Sequence, residues 1–199
     1  MIKVIIFDLG GVYFSVDYKN LQNNLAKKFP EIPKSKINQI INGKIGKDYR
    51  LGKYTKQEFW KKVKKITGSS FDIKKFSETW HSSYCLNKDV KQLALKLRKN
   101  YKVCALSGNI RERVKFLDQK YSFKKDFDLI VYSYIAGVNK LHPRIYKVIL
   151  NRLGLKGEEC VFIDDTKERL KPAKKLGMKT IHFTNTSALK RELKKLNIF

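Results

Sequence analysis

An apolar run, Val4-Ile5-Ile6-Phe7, ends on an acid, Asp8, and Gly10 and Gly11 follow almost at once. A buried strand has no packing reason to finish on a carboxylate, because an unpaired buried charge is costly. Three other apolar runs also lead into polar groups. The run 101–106 is followed by Ser107-Gly108-Asn109, the run 160–163 by Asp164-Asp165, and the run 127–132 by a loop holding Lys140. Three acids, a hydroxyl and a lysine from distant stretches suit one chemistry. Carboxylates from two strand ends can hold Mg²⁺, which prefers hard oxygen ligands. Ser107, with the backbone N–H groups of Gly108 and Asn109 leading into a helical pattern, can cradle a phosphate. Lys140 can neutralise phosphate charge. Asp8 is then left to attack phosphorus and form an aspartyl-phosphate. His142, in the same loop as Lys140, is expected either to contact substrate or simply to fill the loop.

These groups meet only if the runs are neighbouring strands. In a parallel sheet, ligands bind beyond the carboxyl ends of the strands. The runs 2–7, 101–106, 127–132, 160–163 and 178–183 are short and continuous, as expected of strands covered on both faces. Helical patterns lie between and after them at 90–99, 111–121, 144–153, 168–176 and 187–196. The alternation predicts an α/β fold, a doubly wound parallel sheet with right-handed crossovers. Residues 17–85 break it. They hold no convincing strand but show helical patterns at 18–29, 34–42, 55–66 and 72–84, punctuated by Pro30, Pro33, Gly43, Gly46, Gly52 and Gly68. Thr55 and Glu58 have capping-box spacing. The expected organisation is a core of residues 1–16 and 86–199 with an all-helical insert at 17–85. Phe59, Trp60, Phe76 and Trp80 have the spacing of core residues of that insert. Tyr13 and Phe14 are expected either to line a pocket beside the insert or to pack its hinge.

Composition narrows the class. With 199 residues and 42% hydrophobic content, the chain can bury one substantial core and is not globally disordered. No apolar stretch approaches the ~20 residues of a membrane span, and no signal peptide is expected before the first apolar run. The three cysteines, Cys85, Cys104 and Cys160, form no CxxC and suit a reducing cytoplasm. The 44 Lys and Arg against 18 Asp and Glu give a formal charge of +26, a field that attracts anions. The basic residues are mostly lysines spread over every polar stretch. Nucleic acid is therefore the less favoured partner, and a small phosphorylated metabolite the preferred one.

The motifs Asp8-Leu9-Gly10-Gly11-Val12, Leu106-Ser107, Lys140-Leu141-His142-Pro143 and Phe162-Ile163-Asp164-Asp165 stand in the order and spacing of the haloacid dehalogenase superfamily. The chain resembles that superfamily over most of its length, and the insert falls where a type-1 helical cap belongs. The "FDLGGV" opening and the "RLGKYTKQEFW" stretch are most similar to the sugar-phosphatase and epoxide-hydrolase-N-domain-like subgroup. The resemblance implies a Rossmann-like core with a mobile cap over a Mg²⁺ site. It implies that Asp8 is nucleophile and metal ligand and that Gly10 lends the metal its backbone carbonyl. Asp165 would bind the metal directly, with Asp164 helping directly or through water. Ser107 and Lys140 would hold the transferring phosphoryl group.

Some positions depart from the pattern. Gly10 stands where the common phosphatase motif has a second Asp, so a carboxyl that could protonate a leaving group is missing. Leu141 replaces a frequent Pro, Asn109 is displaced by one residue, and Arg169 stands where the subgroup often has Asn. The residues thus predict a Mg²⁺-dependent phosphatase, slow on poor leaving groups. Two other readings stay open on the same residues: a binding or regulatory protein on this scaffold, and a metal-independent dehalogenase-type hydrolase.

Overall fold

A computed structural model describes residues 1–198. Five parallel strands form the central sheet: β1 (Val4–Phe7), β4 (Lys102–Ser107), β5 (Leu129–Tyr132), β6 (Cys160–Asp164) and β7 (Lys179–His182), in the order β5-β4-β1-β6-β7. The chain runs from β1 outward to β5 and then crosses back to β6. That reversal opens a crevice at the carboxyl ends of β4, β1 and β6, where such folds bind ligands.

Alternate residues of each central strand feed opposite layers, as the period of a strand requires. Ile5, Phe7, Val103, Ala105, Val161 and Ile163 join one apolar cluster. Val4, Ile6, Cys104, Leu106, Cys160 and Phe162 join the other. The first layer is covered by α6 (Lys88–Leu97), α7 (Arg111–Tyr121) and α11 (Thr186–Lys195). The second is covered by α9 (Pro143–Leu153) and α10 (Lys167–Lys175). The fold is the doubly wound α/β architecture predicted, and Cys104 and Cys160, in strands of the central sheet, are buried. No helix among the described residues is long and apolar enough to cross a membrane.

Between β1 and β4 lie α1 (Tyr18–Lys28), α2 (Lys34–Asn42), α3 (Lys44–Arg50), α4 (Lys56–Thr67) and α5 (Ile73–Ser82). They have their own apolar cluster, which contains Phe59, Trp60, Phe76 and Trp80. Ile110, at the start of α7, inserts into it from the sheet side. Helix α4 starts at the expected capping box: the Glu58 amide donates to Thr55 Oγ1 at 3.2 Å, and the Thr55 amide to Glu58 Oε2 at 2.8 Å. Helix α3 was not legible, because Gly43, Gly46 and Gly52 read as loop punctuation. The expectation of no strand within residues 17–85 also needs correction, since one begins at Tyr84. β2 (Phe14–Val16) pairs antiparallel with β3 (Tyr84–Leu86), so the chain enters and leaves the helices through one short ribbon. Three-residue strands joined across about seventy residues leave no periodicity to read. Tyr13 and Phe14, at the start of this ribbon, are fully buried packing residues, and the Tyr13 hydroxyl donates to Asp126 Oδ2 at 2.6 Å.

His81, on α5, is buried among the helices and stacks on Trp80. Burial, and then the charges of Arg113 and Lys56, push its pKa down to about 3. An unfolded chain binds a proton at His81 below about pH 6.5, while the folded chain does not. The stabilisation is therefore complete above pH 6.5 and is lost as pH falls toward 3, by about 1.4 kcal/mol per pH unit. Urea denaturation of wild type and His81→Gln between pH 7 and 5 should show a shallower pH dependence in the variant. Parallel curves would contradict the assignment.

Candidate active site

The site grows from the register of the sheet. Phe7 lies opposite Ala105 on one side and Ile163 on the other, so the next residues along β1 and β6 are neighbours. Those residues are Asp8 and Asp164. The Asp8 amide continues the ladder to the Ile163 carbonyl at 2.8 Å. Both carboxylates are buried. Lys140 enters between them, with Nζ 2.6 Å from Asp8 Oδ2 and 2.6 Å from Asp164 Oδ2. It is itself only 4% exposed. The Tyr146 hydroxyl, on α9, lies 2.8 Å from the Lys140 carbonyl and 2.5 Å from the Arg169 carbonyl. It ties the loop that carries the lysine to the first turns of α10.

Arg169 approaches the cluster from its open side. Its Nη1 lies 3.3 Å from Asp8 Oδ2, 3.5 Å from Asp164 Oδ1 and 3.6 Å from Asp165 Oδ1. Three acids thus face two cations. One oxygen from each of Asp8, Asp164 and Asp165 lies within 4.8 Å of the others. A compact, all-carboxylate donor set with one charge uncompensated suits a hard divalent cation. The same imbalance marks the titration of the cluster. Burial raises the Asp8 pKa, Lys140 pulls it back, Asp164 pushes it up again and Arg169 lowers it, leaving it at about 7. Burial would raise Asp164 as well, but Lys140, Arg169 and the Thr166 amide hold it below its ordinary value. Asp165 is raised by burial and by Asp164.

The two glycines after Asp8 have different physical reasons. Gly11 has φ +96°, and a Cβ there would lie 2.1 Å from Asp165 Oδ2. It must be bare for the third acid to reach the cluster. Gly10 lines the cavity, and a Cβ there would meet the ring edge of Tyr84 at 3.3 Å. On the other side of β1, Ser107 ends β4 fully buried, and its Oγ accepts from the Asn109 amide at 3.2 Å. Beside Gly108, the buried Ser133 Oγ has no partner among the described residues.

These residues floor a cavity of about 590 Å³, roofed by Trp80 and Arg50 from the inserted helices. Asp8, Gly10, Gly108, Asn109, Lys140 and Asp165 all line it. Ser107 and Asp164 stand directly behind that lining. His142 does not join them. It is exposed, does not line the cavity, and its Nδ1 caps α9 by accepting from the Arg144 amide at 3.1 Å. Sequence reasoning noticed Arg169 only as a departure and missed Tyr146, Ser133 and Arg113. For Tyr146 a signal existed, since a hydroxyl in the apolar stripe of a helix needs a partner.

A family model of haloacid dehalogenase-like hydrolases matches residues 2–177. The chain belongs to the haloacid dehalogenase-like hydrolases. Among curated proteins of this kind, it is 29% identical over 175 residues to bifunctional epoxide hydrolase 2 of Mus musculus, a match covering 83% of this chain and 31% of that protein. The chain therefore spans about a third of the length of that relative. It is 25% identical over 202 residues to D-ribitol-5-phosphate phosphatase of Bacteroides thetaiotaomicron, covering 97% of both. Among solved structures it superposes on a haloacid dehalogenase family enzyme from the same bacterium, solved with magnesium and inorganic phosphate. That match has TM-score 0.82 and 27% identity, and covers 92% of this chain and 95% of the other.

A buried lysine shared by two carboxylates cannot be removed quietly, because it leaves like charges facing each other in a dry site. Lys140→Met should lower stability by about 3 kcal/mol or more, read from urea denaturation without added metal. A loss below about 1 kcal/mol would show that the ammonium does not hold the acids together.

Proposed function

We propose that this chain is a Mg²⁺-dependent phosphatase that acts on a small phosphorylated metabolite through an aspartyl-phosphate on Asp8. The observation that carries the reading is the Asp8–Lys140–Asp164 cluster with Asp165 alongside, set at the floor of a roofed cavity. The likeness to a phosphatase of similar length, and to an enzyme solved with magnesium and phosphate, supports it.

Asp8, Asp164 and Asp165, with the backbone carbonyl of Gly10, would hold the Mg²⁺. Bound there, it would neutralise charge on the phosphoryl oxygens. The chain's own groups do the rest. A carboxylate oxygen of Asp8 attacks phosphorus, the bond from phosphorus to the leaving oxygen breaks, and that oxygen takes a proton. Water then attacks the phosphorus of the acyl phosphate, releases phosphate and restores Asp8. Lys140 favours the ionised nucleophile and meets the incoming oxyanion. The Ser107 hydroxyl and the amides of Gly108 and Asn109 cradle the phosphoryl oxygens. The helices between β2 and β3 act as a cap that excludes bulk water.

Gly10 sets the limit of this machinery. No carboxyl stands two residues beyond the nucleophile, and the ring of Tyr84 occupies the adjoining space. A positioned general acid contributes roughly 10²–10⁴ in rate, and its absence weighs most on poor leaving groups. Turnover should therefore be slow on alkyl phosphates and faster on aryl or acyl phosphates, whose leaving anions need no proton. The test is a screen of phosphorylated metabolites and aryl phosphates with and without Mg²⁺, on wild type and Asp8→Asn. Mg²⁺-dependent turnover that disappears in Asp8→Asn, whose amide is a poor nucleophile, is the expected result. Retained turnover in Asp8→Asn, or turnover indifferent to Mg²⁺, would overturn the reading.

A further inference from the structure

We propose that the cavity contains a second oxyanion site, built from Arg113 and Arg50, so that the substrate is a phosphate monoester carrying a second anionic group, a carboxylate or another phosphate. The inference deepens the phosphatase reading and rests on it, since it takes the transferring phosphoryl group to sit at Asp8.

Arg113 is the anomaly that leads there. It lies on α7 and is only 1% exposed. Its guanidinium stands over the rings of Trp80, at 4.8 Å to the centroid, and Tyr84, at 4.2 Å. Nη1 donates to the Tyr84 hydroxyl at 3.1 Å and to Asn109 Oδ1 at 3.0 Å. Nε and Nη2 have no partner among the described residues. Buried polar groups are nearly always paired, and a buried guanidinium with two idle nitrogens is costly to keep. Arg113 is one of the residues that line the cavity.

Arg50 lines the same cavity from the end of α3. It donates from Nη1 to the Ile41 carbonyl at 2.8 Å and has no carboxylate partner among the described residues. Burial and the neighbouring Arg113 both disfavour its charge. Two like charges thus line one cavity. The balance of the whole cavity agrees. Five basic residues line it against two acids, Asp8 and Asp165. Those two acids are already engaged with Lys140 and Arg169. Lys47, Arg50 and Arg113 therefore have no acid of their own on the wall. Guanidinium forks match the paired oxygens of a carboxylate or phosphate. A neutral sugar-alcohol tail would leave the charge on this wall unmatched. At about 590 Å³, the cavity has room for a molecule with an anion at each end.

The test uses probes that cannot be hydrolysed. Calorimetry on the Mg²⁺-loaded protein, at physiological salt to screen its general positive charge, compares three series at matched chain lengths. They are plain alkylphosphonates, ω-phosphonocarboxylates and alkylene bisphosphonates, each with one to three methylene units between its ends or an equivalent alkyl length. At one of these lengths, a second anion should tighten binding by about tenfold or more over the plain alkylphosphonate. Arg50→Gln removes one basic residue of 44 and should erase most of that advantage. Arg113→Lys, which keeps the charge but loses the fork, should reduce it as well. Circular dichroism and melting curves would confirm that the variants are folded. Equal binding of all three series to wild type would overturn the second site and leave the phosphatase reading intact. So would an advantage that survives intact in a folded Arg50→Gln. No binding by any phosphonate, nor by inorganic phosphate, would overturn both.

Discussion

Two carboxylates on adjacent strands share one buried ammonium, and the rest of the site depends on that arrangement. β1 and β6 are parallel neighbours, so their ends bring Asp8 and Asp164 together whether or not the charges agree. Both carboxylates are almost wholly buried, so most of the repulsion must be met from within the protein. Lys140 meets it at 2.6 Å to each acid, and Tyr146 fixes the backbone that carries the lysine. One ammonium between three acids leaves negative charge over. Arg169, about a third exposed, approaches that remainder from the open side. The result is a buried and rigid floor with a partly exposed cation at its edge. In chemical terms it gathers three carboxylates and two cations within a few ångströms, which the proposed mechanism uses as nucleophile, metal ligands and counter-charge.

The fold supplies this floor by ordinary means. Three central strands alternate their side chains into two apolar layers, which fixes their register and therefore the level at which each strand ends. Asp8 and Asp164 emerge at one level because Phe7 is opposite Ile163, and Ser107 stands one residue further along β4, since Phe7 is also opposite Ala105. The inserted helices form their cluster separately, yet Ile110 from the sheet side closes it. The residue that opens α7 is thus packed into the roof, while Ser107, Gly108 and Asn109 just before it belong to the floor.

The sequence was most legible where burial is most complete. The buried central strands β1, β4 and β6 appear as apolar runs, so they could be placed within a residue or two, and with them Asp8, Ser107, Asp164 and Asp165; the less buried β5 and β7 were placed as closely. Lys140 was legible because it stands in a loop between two such elements. The remainder was hidden for physical reasons. The β2–β3 ribbon is a nonlocal pairing too short for periodicity. Helix α3 is framed by glycines that also suit loops. His142 sits beside Lys140 in sequence, but the turn into α9 directs it to solvent as a cap. Arg50 and Arg113 are two among 44 basic residues, and nothing in their local pattern separates them from solvated lysines. Only the fold brings them to the wall of the same cavity.

The central claim is that Asp8 is the nucleophile that accepts the phosphoryl group. The most direct measurement is rapid acid quench during turnover of an acyl phosphate in Mg²⁺, followed by peptide mass spectrometry. The account predicts one added phosphoryl group on the peptide containing Asp8, appearing before free phosphate reaches steady state and lost on treatment with hydroxylamine. Steady turnover with no phosphorylated peptide, or with the phosphoryl group on another residue, would contradict it.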